Sequence, residues 1–431
     1  MKVLFSPIGS TDPISNYRDG AMLHICRLYK PDKVYLYLSK EMCKYHDMDD
    51  RYRKAIEFLE RDLKWQCEIE VIRDEEMENV QIFDAFIDSF EAELEKIRQN
   101  DQPDEILVNV SSGTPAMKSS LQMISMLGNE MSAIQVSTPL RSSNKHHEDK
   151  DTYDLEVQWE CNEDNKIGFE NRCIVSDAKR LLDRIKKKNI EKYISVYDYE
   201  AAKILAETLS QTPSEMFQGC LNIAIARNKL DLNFIKSNKK KYSVKSWFPI
   251  VKDRDMKEYE YLLAMQVKLE RKQYADFIRD ITPILYSLSE RVLKQYCGIS
   301  FSDIGEERNG RWRLSRDKLN KLGISLNMHE GDVIYTRYIL EIIKKKSSDS
   351  NIVSQISAIR EVEEKVRNLA AHELVGVTKE WMEKRISFTA EELMDKLFQL
   401  AVDAGISISK EDRRIYQKMN EELVRLLYNE R

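Results

Sequence analysis

The chain has 431 residues, 42% of them hydrophobic and 33% charged, and a formal net charge of −5. That length is long for a single core and predicts two or three domains. No apolar run reaches the roughly 18 residues a membrane helix needs, so no membrane partner is expected. The first residues, Met1–Phe5, enter a strand pattern rather than a signal peptide. Seven cysteines are scattered, odd in number and never spaced as C-x-x-C. They point to a reducing, cytoplasmic setting and away from a structural zinc site, and neither a metal nor a cofactor is expected. Residues 1–175 hold 21 Lys and Arg against 34 Asp and Glu, leaving that part at −13 and the remainder at +8. A polyanion is therefore directed, weakly, to the carboxy-terminal part.

Residues 1–160 alternate between strand and helix signals. Strands are predicted at Val3–Pro7, Lys33–Ser39, Cys67–Arg73, Glu105–Ser111 and Ser132–Thr138. Helices are predicted near Tyr17–Tyr29, Arg51–Leu63, Val80–Gln99 and Thr114–Leu127, and Tyr153–Glu160 reads as an edge strand. Such alternation implies a mostly parallel sheet with helices on both faces. Ligands of open α/β sheets bind beyond the carboxy ends of strands, where the strand order reverses.

Two loops have suitable chemistry. After the first strand come Gly9, Ser10, Thr11 and Asp12; after the fourth come Ser111, Ser112, Gly113, Thr114, Pro115 and Lys118. Gly113 permits a tight turn, Pro115 suits a first helical turn, and the helix amino terminus offers N–H groups to an anion. The bland alternative is a plain N-cap at Thr114 or Ser112. Met117 before Lys118 and the glycine spacing rule out a Walker A loop, and no G-x-G-x-x-G fingerprint occurs.

From about Ser176 the strand signals stop. Asp177–Lys188, Tyr199–Ser210, Pro213–Asn228 and Asp255–Arg271 read as helices, and 176–270 is taken as a helical connector. Lys236–Trp247 carries lysines with aromatics nearby, more often a solvated loop than an RNA contact. A long helix is predicted at Gln273–Gly298, with Pro283 inside it. Gly305–Gly323 is basic, with four arginines around Trp312, and suits either a nucleic-acid backbone or a surface loop. Asp332–Lys345 is helical, Lys344–Asn351 a flexible loop, and Thr389–Ala404 and Lys410–Tyr428 complete an all-α bundle over 271–431.

Within that bundle, Ile352, Ile356, Ile359, Val362, Val366 and Leu369 mark the buried face of one helix running to about Val375. Arg367 and His372 flank this stripe, about 140° apart on an unbroken α-helix, and Asn368 lies one turn before His372. Histidine can move a proton near neutral pH, and arginine grips a phosphate without losing charge. The pair suffices for metal-free RNA cleavage, the base assisting 2′-hydroxyl attack and the guanidinium steadying the phosphoryl oxygens. The plain alternative is an exposed ion pair of Arg367 with Glu363, four residues earlier.

An α/β sensor-like domain ahead of a helical bundle carrying Arg-Asn-x-x-x-His resembles the CARF–HEPN ancillary ribonucleases of type III CRISPR systems, the Csm-six type. The resemblance covers nearly the whole chain. It implies an α/β Rossmann-like CARF domain over 1–175, an all-α connector over 176–270 and an all-α HEPN ribonuclease bundle over 271–431. It further implies a homodimer whose CARF domains bind a cyclic oligoadenylate of six or four units, supplied by the type III effector complex without stable binding to it. The activated HEPN pair then cuts single-stranded RNA without metal, leaving 2′,3′-cyclic phosphate ends. Carried onto this chain, Arg367 and His372 become catalytic with Asn368 in support. Gly9, Ser10, Thr11, Asp12, Ser111, Ser112, Gly113, Thr114 and Lys118 become ligand-binding residues. Some relatives also cut their own activator, and Ser10, Asp12 and Thr114 are where that chemistry would reside. The rival expectation is a non-catalytic ligand sensor whose helical part binds RNA or a protein.

Overall fold

A parallel strand covered on both faces reads as an unbroken apolar run. Lys33–Ser39 is such a strand, and all seven of its residues are buried. The computed structural model describes residues 1–128, 131–138, 152–176, 179–367 and 376–429. They fall into two compact units, Met1–Leu182 and Asp183–Arg431.

In the first unit, β1 (Lys2–Pro7) leads to a short hairpin of β2 (Ile14–Ser15) and β3 (Arg18–Asp19). Next come α1 (Ala21–Tyr29), β4 (Lys33–Ser39), α2 (Lys40–Asp49), α3 (Arg51–Leu63) and β5 (Glu68–Asp74). The chain continues through α4 (Asp84–Asp101), β6 (Glu105–Asn109), α5 (Pro115–Leu127), β7 (Met131–Val136), α6 (Leu155–Glu160) and β8 (Cys173–Val175). The sheet order is β5-β4-β1-β6-β7-β8. All pairings are parallel except β7 with β8. Successive side chains alternate between faces. Leu4, Leu36 and Leu107 thus join Met22 and Ile56 in one core, while Phe5, Tyr37 and Val108 join Phe86 and Phe90 in the other.

The five expected parallel strands form as the alternation demands. One helix was not foreseen, and one expected strand does not form. Lys40–Asp49 is a helix that its weak apolar pattern concealed, burying only Met42 and Cys43. Tyr153–Glu160 is not an edge strand. Asp154 caps a helix by accepting from the Glu156 and Val157 amides, and Leu155 and Trp159 bury one helical face. The antiparallel edge is β8 instead.

The second unit contains α7 from Asp183 onward (helix Lys179–Ser195), α8 (Tyr199–Ala206), α9 (Glu215–Asn228), α10 (Leu232–Asn238), α11 (Asp253–Glu270) and α12 (Tyr274–Cys297). After α13 (Phe301–Ile304) comes a hairpin, β9 (Gly305–Arg308) and β10 (Arg311–Leu314), then α14 (Arg316–Lys321), α15 (Thr336–Lys346) and α16 (Ser350–Val362). A π-helical turn, Glu363–Arg367, succeeds α16 directly. Beyond it lie α17 (Lys379–Glu383), α18 (Ala390–Asp403) and α19 (Ile415–Tyr428).

The bundle is therefore not wholly helical. Asn309 and Gly310 both adopt positive φ, the turn a two-residue hairpin prefers. Arg308, Arg313 and Arg316 are tied locally to Glu306, the Gly331 carbonyl and the Met328 carbonyl, while Arg311 is exposed. Lys344–Lys346 close α15 rather than a loop, with the Lys346 ammonium on the Leu322 carbonyl at 2.7 Å. In the lysine cluster, Lys236 and Lys241 pair with Asp253 and Glu215, and Trp247 is buried.

One continuous core runs from Ile190 to Leu427, so the connector and the bundle separated at position 270 share their interior. At its centre the Arg227 guanidinium makes two bonds to Glu260, at 2.7 and 2.9 Å, with both side chains fully buried. Phe248 and Tyr416 lie 4.7 and 4.9 Å from that guanidinium. Removing one partner leaves an unpaired buried charge, whereas removing both does not. Glu260→Leu is expected to destabilise this unit by about 3–5 kcal/mol and Arg227→Met/Glu260→Leu by far less, read from urea unfolding.

Candidate functional site

Chain order places the switch point. From β1 the sheet grows through β4 to β5 on one side, then resumes with β6 and β7 on the other. Loops leaving the carboxy ends of β1 and β6 therefore diverge at the reversal, where a crevice forms. These are the two loops singled out from the sequence. A methyl group at Gly9 would sit 2.5 Å from the Gly113 nitrogen, so the backbones touch. Gly113 has φ +83°, a conformation costly for any side chain.

Asn109, the last residue of β6, builds the second loop. Its Oδ1 accepts from the Ser111 and Ser112 amides at 2.9 and 3.2 Å, and its Nδ2 donates to the Ser6 and Ser112 hydroxyls, both at 2.9 Å. Neither Asn109 nor Ser6 was singled out from the sequence. The available signal was an Asn two and three residues before the Ser-Ser pair, the spacing at which an Asx side chain meets downstream amides.

The expected ligand residues divide by orientation. Ser10 and Thr11 are exposed, and Ser111, Gly113, Thr114 and Lys118 are half-buried. Asp12 and Ser112 instead turn inward. The Asp12 carboxylate accepts from the Gly9 amide at 2.9 Å and the Met22 amide at 3.1 Å. Burial pushes its carboxyl above the usual carboxylate range despite these bonds. Asp12 thus shapes the first loop from behind, with its side chain buried rather than exposed as an outward contact would be. Ser112 likewise turns inward, its hydroxyl accepting from Asn109 and donating to the Asp12 carboxylate. Thr114 caps α5, accepting from the Met117 amide at 3.4 Å and donating to the Val80 carbonyl at 2.5 Å. The N-cap alternative is thus realised, and α5 still presents its amino terminus to the crevice beside Lys118.

A second polar cluster stands behind the first loop. Asp19, His24 and Asp164 lie close enough to suggest metal ligands. Their lone pairs are committed elsewhere. Asp19 receives Arg27 through Nε at 2.6 Å and Nη2 at 3.0 Å, and Asn162 at 2.7 Å. Asp164 receives Arg172 at 2.9 Å and the Asp19 amide at 2.9 Å. His24 Nε2 accepts from the Arg172 amide at 3.1 Å, which leaves its proton on Nδ1, 3.5 Å from Asp19. The set is an arginine-clamped latch fastening 162–172 to β3 and α1.

In the second unit, the described residues stop at the threshold of the expected nuclease centre. Arg367 ends the π turn, and its side chain, with Asn368 and His372, lies outside the described residues. The unbroken α-helix assumed between Ile352 and Val375 is interrupted at Glu363. Glu363 is 5% exposed and paired with Arg360, which also holds Glu364 at 2.9 Å. It is therefore not the exposed surface carboxylate that the ion-pair alternative for Arg367 assumed.

Three family models match the chain: the Cas_Csm6 CARF domain over residues 68–173, the CRISPR-associated protein Csm6 6H domain over 176–228, and the Cas_Csm6 HEPN domain over 247–424. The CRISPR system endoribonuclease Csm6 of Mycobacterium tuberculosis is 29% identical, over 98% of this chain and 98% of that protein. Its namesake from Streptococcus thermophilus is 26% identical, over 99% and 100%. A solved structure, Enterococcus italicus Csm6 bound to cyclic hexa-2′-fluoro-hexa-dAMP, has the same fold, with a TM-score of 0.73 at 21% identity over 99% and 100% of the two chains.

The latch has a pH signature. Burial raises the Asp19 carboxyl, but hydrogen bonds from His24 and Arg27 outweigh it and hold it below the ordinary value of 3.8. Its stabilisation is thus present above about pH 4 and lost as pH falls through the depressed value. Asp19→Asn is expected to lower stability at pH 7 and to flatten the loss of stability below pH 4, measured by unfolding across pH 2–7.

Proposed function

The chain belongs to the Csm6 family of CARF–HEPN ribonucleases, and from that premise we propose an endoribonuclease switched on by a cyclic oligoadenylate. The observation that carries the sensor half is the contact of Gly9 with Gly113, which joins two loops at the switch point into one crevice. Ser10 and Thr11 from one loop, and Ser111, Gly113, Thr114 and Lys118 from the other, border it. Backbone amides at the start of α5 and the Lys118 ammonium suit the phosphates of a ring. A ring of six units is favoured over four, since the Enterococcus italicus relative was solved with a cyclic hexanucleotide analogue.

In the helical unit, His372 acts as the general base on the 2′-hydroxyl, Arg367 binds the phosphoryl oxygens, and Asn368 supports them. The products are 2′,3′-cyclic phosphate and 5′-hydroxyl ends, and no metal takes part. Each chain carries one Arg/His set, and a two-fold homodimer brings two sets to one single-stranded RNA. A ring with rotational symmetry likewise fits two equivalent crevices, and its preference for one dimer arrangement supplies the switch. The protein works in the cytoplasm, beside the type III effector complex that makes the ring. Slow cutting of the ring in its own crevice draws on Ser10, because the Asp12 carboxylate and the Thr114 hydroxyl are committed to backbone groups.

The deciding experiment incubates the protein with a fluorogenic RNA in EDTA, with and without cyclic tetra- and hexa-adenylate. Ring-dependent cleavage is expected, falling at least about 100-fold in His372→Ala. Cleavage that requires a divalent metal, or survives that substitution, refutes the mechanism; ring binding without any cleavage favours the non-catalytic sensor. Lys118→Ala is expected to raise the ring concentration for half-activation about ten-fold while leaving the saturated rate unchanged, measured by titrating the ring.

A further inference from the structure

The π turn at Glu363–Arg367 contains neither proline nor glycine; its sequence, Glu-Glu-Lys-Val-Arg, would extend α16 without interruption. A π turn accommodates one more residue than an α turn, so it displaces position 367 by about one residue step, roughly 100° around the axis. Such a rearrangement persists only where its surroundings hold it.

Two features hold this one. Ile352, Ile356, Ile359 and Val362 of α16 are buried, and the turn packs against α12. At the junction itself the next buried residue is a carboxylate, Glu363. A buried carboxylate is tolerable only when paired. Its partner is Arg360 on the last α-helical turn, whose other nitrogen reaches Glu364 at 2.9 Å. One guanidinium thus spans the change from α to π winding and gives Glu363 a reason to face inward.

We propose that the Arg360–Glu363 pair positions the nuclease centre: by fixing the π turn it sets the backbone of 363–367 on which Arg367 is carried. Neither residue is a catalytic group; both act through the backbone of 363–367. This inference rests on the reading of Arg367 and His372 as the nuclease pair.

The test is a double-mutant cycle of Arg360→Gln and Glu363→Gln in the full-length protein, saturated with ring, with kcat and KM for RNA measured at several temperatures below each melting point. Each single variant is expected to lose about ten-fold in kcat with KM and ring affinity within two-fold of the parent, and the double variant to lose no more than either single. A positioning defect persists at every temperature at which the protein is folded. A kcat equal to the parent's, a deficit that vanishes on cooling, or losses that multiply in the double variant overturn the proposal. Arg367→Ala, measured alongside, separates the two readings. If it retains cleavage, the assigned nuclease centre is wrong; if it is inactive while Glu363→Gln is fully active, only the positioning role falls.

Discussion

Two backbones in contact, Gly9 against Gly113, are what the sensor unit depends on. Adjacent parallel strands lie about 4.8 Å apart, and loops leaving their ends normally spread as side chains demand room. With no Cβ at position 9 and a left-handed Gly113, the loops after β1 and β6 instead close on each other. The opening between them is then bordered by hydroxyls, amides and one ammonium, a composition suited to phosphates. Each inward polar group nearby serves this contact. Asp12 ties the first loop to α1, and Asn109 ties the second to Ser6 of β1.

The two units stabilise buried charge in different ways. The first spreads it over a network, in which Arg27 and Arg172 share Asp19 and Asp164 with His24 and Asn162. Every carboxylate oxygen has at least one donor, and the result pins a late segment of the unit to an early one. The second concentrates it in one pair, Arg227 with Glu260, enclosed by aromatic rings. Such pairs add little net stability but tolerate few alternative packings, which suits an element that must hold α9, α11 and α19 in one arrangement.

Much of the fold could be read from periodicity. The α12 stripe from Ile278 to Leu293 is buried as its spacing requires, and Lys33–Ser39 is the interior strand its apolar run implies. Errors arose where side-chain chemistry overrode period. Asp154 turned an apparent strand into a helix by capping it, and Arg360 with Glu363 accompanied a change of winding that no propensity scale anticipates. Of the expected ligand residues, the chemistry was legible but the orientation was not. Asp12 and Thr114 have the chemistry of ligand contacts, yet their oxygens are spent on the Gly9, Met22 and Met117 amides and the Val80 carbonyl.

Local pattern alone determined the α/β-then-helical order, the two glycine-bearing loops, and the Arg-Asn-x-x-x-His motif, because period, turn chemistry and motif spacing are properties of neighbouring residues. Which strands adjoin, and hence that those two loops meet at the point of reversal, was decided by tertiary packing: β1 and β6 are about a hundred residues apart. So too was the fate of each polar side chain, since an oxygen's partner can lie anywhere in the chain and burial forces it to find one.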